Sequence, residues 1–310
     1  MTLPHLSVLK DACLHVFEGM QLRIFVDCTL GAGGHSEAFL QAHPEIEALV
    51  GIDQDPEGQR IASQRLAPWK EKLRLVKGNF DQLSKHLDAL SIDKVSGILI
   101  DMGVSSMQLD QPEKGFSFMR DGPLDMRMDP EGKVTAADIV NSWPEEELAR
   151  IFRDYGEEKQ WRKAARVLVE ARKTKTFVTT RDLVDTLHPP LYRFSKKGIH
   201  PLTLIFQALR ICVNRELEVI ETILPQAIER LESGGRLAVS TFHSLEDRIV
   251  KHAFQDYASD KVDTAGIGGM FLDKEPLVDM ITRKPLKAAD EEVAQNPRSR
   301  SAKLRVVQKR

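Results

Sequence analysis

The stretch from Ile24 to His35, IFVDCTLGAGGH, constrains the fold of this chain more than any other. It begins with an apolar, partly β-branched run, Ile24-Phe25-Val26, which is typical of a buried strand. A glycine-rich turn follows, and the next residues, HSEAFLQAH, have helical spacing. Glycine lets the backbone approach a ligand closely, and a helix start offers unpaired N–H groups. The stretch therefore predicts a strand, a turn and a helix that bind a nucleotide-like ligand.

A second apolar run, Ala48 to Asp53, ends in a carboxylate twenty positions after Gly33. In nucleotide-binding α/β units, an acid at this point accepts hydrogen bonds from ribose hydroxyls. A dinucleotide site would show G-x-G-x-x-G, but the sixth position counted from Gly31 is Ser36. No Gly-Lys-Ser/Thr occurs either, so the turn argues against dinucleotide and P-loop sites.

The first hundred residues alternate between strand and helix patterns. Asp55 and Pro56 form a helix start signal, and further elements are predicted in the order helix to Leu66, strand Leu73–Val76, helix Leu83–Leu90 and strand Val95–Ile100. This alternation predicts an α/β fold with a parallel, doubly wound sheet, whose ligand groups lie at the carboxyl ends of the strands.

The alternation stops after the fourth strand. From about Asp110 to Lys197 the sequence has no strand pattern, and helical spacing covers 135–141, 144–155, 157–172 and, with Thr180 as the cap, 181–187. A long apolar-periodic segment, Pro201 to Arg230, follows, in which Pro225 is expected to start a new helix or kink this one. A fifth strand at Gly235–Ser240, a helix from His243 or Ser244 to Phe254 and a last strand at Ala302–Val307 complete the pattern. We therefore predict a Rossmann-like sheet, residues 1–109 and 201–310, with an all-helical insertion domain at 110–200.

Composition limits the class of protein. The 310 residues are 42% hydrophobic and 29% charged, which is ordinary for a globular chain with two structural units. The three cysteines lack paired spacing and argue against a disulfide framework. No apolar run has the length of a membrane span, and the N-terminus has no signal or transit pattern, so a cytoplasmic location is expected. The histidines show no metal-ligand spacing, and no metal is predicted.

Four positions at predicted carboxyl ends can be interpreted together. The glycine turn approaches the tail or sugar of a ligand, Asp53 suits ribose hydroxyls, Phe80 offers an aromatic face to a base, and Asp101 lies closest to the chemistry. This arrangement is typical of an S-adenosylmethionine site. Taken alone, Phe80 is more often a core residue, and Asp101 is as well suited to capping a turn.

Five segments, in order, resemble the RsmH (MraW) family: DCTLGAGGHS, GIDQDP, ILIDMGVSSMQLDQPEKGFSFMRDGPLDMRMD, TFHSLEDRIVK and NPRSRSAKLR. The resemblance covers nearly the whole chain, with its poorest match at about Asp260–Asp279. It implies an S-adenosylmethionine-dependent methyltransferase that acts on N4 of a cytidine in the decoding region of small-subunit (16S) ribosomal RNA. The partner would be this RNA within the assembled or nearly assembled subunit, and a homodimer stays open.

The resemblance also implies a set of site residues. Its cofactor contacts fall on Gly33, Gly34, His35, Asp53, Phe80, Asp101 and Gln108. Asp101 is in addition the candidate catalytic residue, because a carboxylate can accept an N–H of the cytosine amine and localise its lone pair. Amino-methyltransferases usually carry a Pro-Pro-aromatic sequence after this acid, and the chain has Met102-Gly103-Val104 instead. A stretch rich in Phe and Met, which includes Phe116, Phe118, Met119, Met126 and Met128, is expected to pack for the most part.

Basic clusters predict the RNA-binding side. Residues 159–175 carry seven Lys or Arg against one acid, and the four candidates for RNA contact are Lys159, Arg162, Lys163 and Arg166. On a helix, the pairs 159/163 and 162/166 would each share a face. Further basic residues occur at Arg193, Lys196 and Lys197, and from Asn296 to Arg310. Three alternatives remain open at this point: methylation of another RNA or of DNA, a ribosome-assembly protein without turnover, and a nicotinamide dehydrogenase.

Overall fold

The computed structural model describes residues 7–192, 201–263 and 271–310. The chain divides into two compact units, Met1–Gly103 with Leu217–Arg310, and Val104–Glu216. We call the first the sheet unit and the second the helical unit. The insertion predicted at 110–200 therefore begins earlier and ends later in the structure.

The sheet unit contains every strand of the described residues. These are β1 (Ile24–Asp27), β2 (Ala48–Asp53), β3 (Leu73–Lys77), β4 (Val95–Asp101), β5 (Leu231–Thr241), β6 (Lys261–Asp263), β7 (Phe271–Asp273), β8 (Val278–Met280), β9 (Leu286–Lys287) and β10 (Lys303–Lys309). The main sheet has the order β3-β2-β1-β4-β5-β10-β8, and β9 also pairs with β10. Strands β1 to β5 are parallel, whereas β10 is antiparallel to β5.

Thirteen helices have described bounds. They are α1 (Lys10–His15), α2 (Gly34–Ala42), α3 (Pro56–Arg65), α4 (Leu83–Ala89), α5 (Ser106–Asp110), α6 (Ala136–Ser142), α7 (Glu145–Asp154), α8 (Trp161–Ala171), α9 (Thr180–Tyr192), α10 (Pro201–Asn214), α11 (Glu216–Arg230), α12 (Ser244–Ala258) and α13 (Asp290–Gln295). None of the helices in the described ranges is long and apolar enough to cross a membrane.

The central strands are buried on both faces, which explains their continuous apolar sequence. All six residues from Val95 to Ile100 are buried. Alternate side chains enter two separate cores: Val26 and Ile98 join one, whereas Phe25 and Leu99 join the other. In the second core the ring of Phe25 stacks on that of Phe39 with centroids 4.2 Å apart. Burial of each such ring contributes roughly 2–3 kcal/mol.

The topology fixes where a ligand can bind. The chain adds β2 and β3 on one side of β1 and then crosses to add β4 on the other side. In open parallel sheets, ligands bind at the carboxyl ends of the two strands where this reversal occurs. The β1 and β4 strands end in Asp27 and Asp101, so two carboxylates mark the predicted crevice.

The predicted α/β fold is confirmed, and its first strands lie within a residue of their predicted bounds. Asp55 caps α3 as expected, since its Oδ1 accepts from the N–H of Glu57 at 3.1 Å. The helix that starts at Ser244 is capped by His243, whose ring accepts from the N–H of Glu246. The last strand, predicted at Ala302–Val307, is β10.

Pro225 does not start a new helix, because the break falls at Arg215, with φ 51°, and Pro225 lies inside α11. Two other local predictions were wrong. At the start of α9, the hydroxyl that accepts from the N–H of Asp182 belongs to Thr179, and Thr180 binds a preceding loop instead. Helix α8 begins at Trp161, so the pair 159/163 does not share a helix face.

The helical unit packs around its own core, and within its described residues the one β interaction is an isolated bridge between Pro123 and Thr179. Packing is confirmed for four of the five Phe and Met residues noted above. Phe116 and Met126 are buried in this core, and Phe118 and Met128 pack against it. Met119 is the exception, because 80% of its surface is exposed.

The most distinctive sequence block of the helical unit, DMRMD, forms a loop that hydrogen bonds within the unit hold in place. The guanidinium of Arg127 donates to both carboxylate oxygens of Asp125, at 2.8 and 2.7 Å, and to the carbonyl of Gly132. Asn214 donates to the carbonyl of Met126 and accepts from the N–H of Met128. These bonds hold Met126 in the left-handed region, with φ 63°, and account for DMRMD as a structural motif.

Candidate functional site

The glycine turn between β1 and α2 is tied to the neighbouring strand. Gly31 and Gly33 have φ values of 50° and 77°, which favour glycine. The N–H of Gly31 donates to Oδ2 of Asp53 at 2.7 Å. Helix α2 then starts at Gly34 without a side-chain cap. Its first N–H groups are therefore suited to an anionic group of a ligand.

Asp27, at the end of β1, holds the turn in place through hydrogen bonds. Its side chain is 1% exposed, its Oδ1 accepts from the N–H of Thr29, and its Oδ2 accepts from the hydroxyl of Ser36 at 2.7 Å. Burial raises the pKa of Asp27. The hydroxyl of Thr29 in turn accepts from the N–H of Asp101 at 2.8 Å. Through Thr29 and Ser36, Asp27 fixes both sides of the crevice.

His35 and Asp101 meet in this crevice. The Nε2 atom of His35 lies 3.4 Å from Oδ2 of Asp101, within ion-pair distance but outside hydrogen-bond geometry. Both ring nitrogens of His35 and Oδ1 of Asp101 are buried and form no hydrogen bond with the described residues. Burial lowers the pKa of His35, but the carboxylate of Asp101 outweighs burial, and the net shift is upward.

Asp53 ends β2 and accepts two backbone hydrogen bonds. Its Oδ1 accepts from the N–H of Asp55 at 2.8 Å, and its Oδ2 accepts from Gly31. Burial raises the pKa of Asp53 to about 6, although these two N–H groups oppose the rise. Each carboxylate oxygen keeps a second lone pair for a ligand hydroxyl.

Phe80 lies in a 3-10 turn, Phe80–Gln82, that directly follows β3 and the short link through Asn79. Its ring is half-buried and packs against the sheet core, so part of its role is structural. The amide of Asn79 donates to Gln54 at 3.3 Å and joins this turn to the end of β2. Beside Phe80, the Oδ1 atom of Asp81 is buried without a hydrogen bond to the described residues.

Six of the seven predicted cofactor residues lie in the sheet unit, at the ends of β2 and β4, in the turns after β1 and β3, or at the start of α2: Gly33, Gly34, His35, Asp53, Phe80 and Asp101. Gln108 belongs to the helical unit, in α5. It is 6% exposed, and its Oε1 accepts from the N–H of Ser105 at 3.0 Å. The prediction that Gln108 contacts the cofactor stays a prediction.

Sequence reasoning missed Asp27 and Ser240. Asp27 ends a buried strand, as Asp53 and Asp101 do, so the same signal was available for it. Ser240 pairs with Asp101 across β4 and β5, and its buried hydroxyl forms no hydrogen bond among the described residues. Nothing in the local sequence distinguishes a functional serine in a buried strand from one that has only a structural role.

The predicted RNA contacts of the helical unit differ in their surroundings. Lys159 and Arg162 are exposed, and the guanidinium of Arg162 lies 3.8 Å from the ring centroid of Trp161. Arg166 is also exposed, 4.0 Å from a carboxylate oxygen of Glu145. The ammonium of Lys163 instead donates to the carbonyl of Pro190 at 2.7 Å, a bond within the unit.

Other cations of the same segment are also used internally. Arg172 donates to the carbonyls of Val140 and Trp143, and Lys173 pairs with Glu170. The cluster predicted at Arg193, Lys196 and Lys197 lies outside the described residues. The exposed basic residues that share a face of α8 are thus Arg162 and Arg166, and the exposed acid Glu170 lies one turn after Arg166.

The crevice can be tested for its fit to S-adenosylmethionine. This molecule brings a carboxylate, two ribose hydroxyls and an adenine amine. The free N–H groups at the start of α2 suit the carboxylate, Asp53 has acceptor capacity for hydroxyls, and the orphaned oxygen of Asp81 suits an amine. The residues present therefore fit the group, with a complementary protein group for each of these three polar parts.

Comparison with known proteins identifies the family of this chain. The model of the MraW methylase family matches residues 2–310. A relative from Protochlamydia amoebophila (strain UWE25), "Ribosomal RNA small subunit methyltransferase H", is 56% identical over 99% of this chain and 97% of its own. A relative of the same name from Clostridioides difficile (strain 630) is 41% identical over the full length of both chains. A solved putative rRNA-methylase from Clostridium thermocellum covers 98% of this chain and 99% of its own, with 11% identity and a TM-score of 0.45. From the family match and the full-length relatives, the chain belongs to the MraW methylase family.

Proposed function

We propose that this protein transfers a methyl group from S-adenosylmethionine to small-subunit ribosomal RNA, at N4 of a cytidine in the decoding region. The observation that carries the proposal is the 56% identity, over 99% of this chain, to a relative named for methylation of this RNA. The finer assignment, cytidine N4, rests on the resemblance of the sequence blocks and on the carboxylate that the site offers to an amine.

Residues of the sheet unit hold the cofactor in this proposal. The N–H groups of Gly34 and His35 bind its carboxylate, Asp53 accepts from the ribose hydroxyls, and Phe80 lies against the base. Asp81 accepts from the adenine amine, which accounts for its buried oxygen without a hydrogen bond to the described residues. The family resemblance implies a further cofactor contact at Gln108.

Asp101 acts on the nucleophile. The cofactor supplies a methyl group that its positively charged sulfur already activates. Asp101 accepts an N–H of the cytosine amine, which localises the nitrogen lone pair and aims it at the methyl group. The amine nitrogen takes the methyl group as the methyl–sulfur bond breaks, which leaves S-adenosylhomocysteine, and the amine proton passes to the carboxylate of Asp101. His35 lies 3.4 Å from this carboxylate and stabilises its negative charge. Positioning supplies most of the rate enhancement.

Cofactor affinity is expected to fall as the pH falls through the pKa of Asp53, which is about 6. An ionised carboxylate accepts both ribose hydroxyls, whereas a protonated one loses acceptor capacity. Roughly one tenth of Asp53 is ionised at pH 5, so the Kd for S-adenosylhomocysteine is expected to rise about tenfold between pH 7.5 and pH 5. Isothermal titration calorimetry at several pH values measures this change.

The control for this titration is Asp53→Asn, whose Kd is expected to be higher and independent of pH. Unfolding would not explain this loss of cofactor affinity, because protonation of Asp53 makes the fold more stable, not less stable, at low pH. A carboxyl whose pKa is raised in the folded state stabilises the fold as the pH falls from about 6 to about 4. An equal tenfold change in Asp53→Asn would assign the effect to another group.

The helical unit binds RNA phosphates through the exposed residues Lys159, Arg162 and Arg166. We expect the double variant Arg162→Ala with Arg166→Ala to bind RNA more weakly. The slope of log Kd against log salt concentration should fall by the amount expected for about two lost phosphate contacts. The Kd for S-adenosylhomocysteine should not change. Fluorescence anisotropy with a labelled small-subunit RNA fragment measures the first quantity. A double variant that binds RNA like the wild type would remove this helix from the interface.

The experiment that tests the function is nucleoside mass spectrometry of small-subunit RNA treated with the protein and S-adenosylmethionine. N4-methylcytidine in one decoding-region nucleotide supports the proposal. A methyl group on another nucleoside or on DNA would assign a different methylation substrate. Cofactor binding without any product would favour a ribosome-assembly protein without turnover.

A further inference from the structure

The C-terminal strand brings a basic turn to the edge of the sheet where the cofactor site lies. Because β10 runs antiparallel to β5, its first residues lie at the carboxyl ends of the parallel strands. Ser240 pairs with Asp101 on one side and with Leu304 on the other. Leu304 is thus two strands from Asp101, about 10 Å away at the usual strand spacing.

A 3-10 turn, Pro297–Ser301, immediately precedes β10 and has a fixed backbone. Ser299 is fully buried, and its hydroxyl donates to the carbonyl of Asn296 at 2.8 Å. Ala302, the next residue after the turn, is buried in the core. Arg298 and Arg300 flank the buried Ser299, and both are exposed.

Three other cations of the C-terminal segment form ion pairs within the sheet unit. Arg305 and Lys303 pair with the two carboxylate oxygens of Asp247, at 2.7 and 2.8 Å. Arg310 pairs with Asp279 at the other end of β10. Arg298 and Arg300 are exposed and precede the end of β10 that lies beside Ser240 and Asp101.

Acidic and basic residues both occur near the turn. Lys287 on β9 is exposed and pairs in register with Lys303. Helix α13 carries acids in its first turn, of which Asp290 and Glu291 are exposed, whereas Glu292 accepts from the N–H of Leu9. These acids begin the helix, and the turn that carries the arginines follows its C-terminal end, so the two charges lie at different ends of α13.

We propose that the turn Pro297–Ser301 is a second RNA-contact surface, in which Arg298 and Arg300 bind backbone phosphates close to the target nucleotide. The inference rests on the proposed function and adds a contact on the sheet unit to those of the helical unit. Arginine suits phosphate because its planar guanidinium donates two parallel hydrogen bonds. A fixed turn presents both guanidinium groups with a small loss of backbone entropy on binding.

The test compares two double variants that each remove two positive charges. Arg298→Ala with Arg300→Ala changes the turn, whereas Lys70→Ala with Lys94→Ala changes exposed residues just before β3 and β4, at the opposite edge of the sheet. The Kd for a labelled small-subunit RNA fragment is measured by anisotropy at several salt concentrations. The Kd for S-adenosylhomocysteine is measured in parallel.

The arginine variant is expected to bind RNA at least about tenfold more weakly at low salt. The slope of log Kd against log salt concentration should be smaller by about two, one for each lost phosphate contact. The lysine variant should keep the wild-type slope, and both should keep the wild-type Kd for S-adenosylhomocysteine. Equal slopes in the arginine variant and the wild type would overturn the inference while leaving the proposed function intact. A wild type that binds RNA with the expected slope but forms no methylated cytidine would overturn the function and leave the surface in place.

Discussion

Replacement of Asp101 by asparagine is expected to slow methyl transfer by about 100- to 10,000-fold, the range in which a positioned proton acceptor contributes. Asparagine keeps the shape of the side chain but removes the negative charge that accepts and then takes the amine proton. Its backbone N–H still donates to Thr29, so the end of β4 stays in place. The protein should therefore still bind S-adenosylhomocysteine and RNA.

Single-turnover kinetics with saturating cofactor isolate the chemical step from product release. The matched control is Asp93→Asn, the same change at an exposed position just before the other end of β4. This control should keep the wild-type rate. If Asp101→Asn transfers methyl groups within about threefold of the wild type, Asp101 is a cofactor contact and not the proton acceptor.

Gly122→Ala is expected to destabilise the helical unit by at least about 3 kcal/mol, because the new Cβ would overlap the carbonyl oxygen of Pro112. The overlap is with backbone, so no side-chain rotation relieves it. Gly122 is also fixed on its other side: its carbonyl accepts from the N–H of Thr180 at 2.8 Å, and its N–H donates to the hydroxyl of Thr180. The loop cannot move away without breaking both bonds.

Tryptophan fluorescence in urea measures this effect, since two of the three tryptophans, Trp143 and Trp161, lie in the helical unit. Gly132→Ala is the control, because its Cβ would meet the carbonyl oxygen of Asp129 at 3.1 Å, a contact that a small shift relieves. It should cost no more than about 1 kcal/mol. Similar losses in the two variants would mean that the loop around Gly122 is free to rearrange.

The fold of the sheet unit could be predicted because local signals and burial agree in it. Continuous apolar runs marked β2 and β4, and the end of each run carried an acid that the parallel topology brings to one edge. The cap of α3 was equally local, since Asp55 binds an N–H two residues away. Such features depend on neighbours in sequence, which a reader of the sequence can see.

The errors arose where a distant partner decides the structure. Thr180 looked like a helix cap, but its hydroxyl donates to the carbonyl of Arg120, sixty residues away. Lys163 was predicted to bind phosphate; one of its three donors binds the carbonyl of Pro190, and its RNA contact stays a prediction. Such donor side chains can bind solvent, RNA or a carbonyl of the protein. The sequence does not show which of these partners lies within hydrogen-bond distance.

The start of α11 and the short strands after Asp260 were not marked in the sequence, for a different reason. A proline interrupts an isolated helix, yet α11 continues through Pro225, and a left-handed residue, Arg215, ends the helix before it. The short strands β8 and β9 have two or three residues each, too few for a periodic pattern. They form because β10 offers a strand to pair with.

The measurement that tests the central claim most directly is nucleoside mass spectrometry of small-subunit RNA incubated with S-adenosylmethionine and either the wild type or Asp101→Asn. The account predicts N4-methylcytidine at one nucleotide of the decoding region with the wild type, and at least about 100-fold slower formation with the variant. A methyl group on any other atom or nucleoside, or no methyl group with a wild type that binds the cofactor, would contradict it.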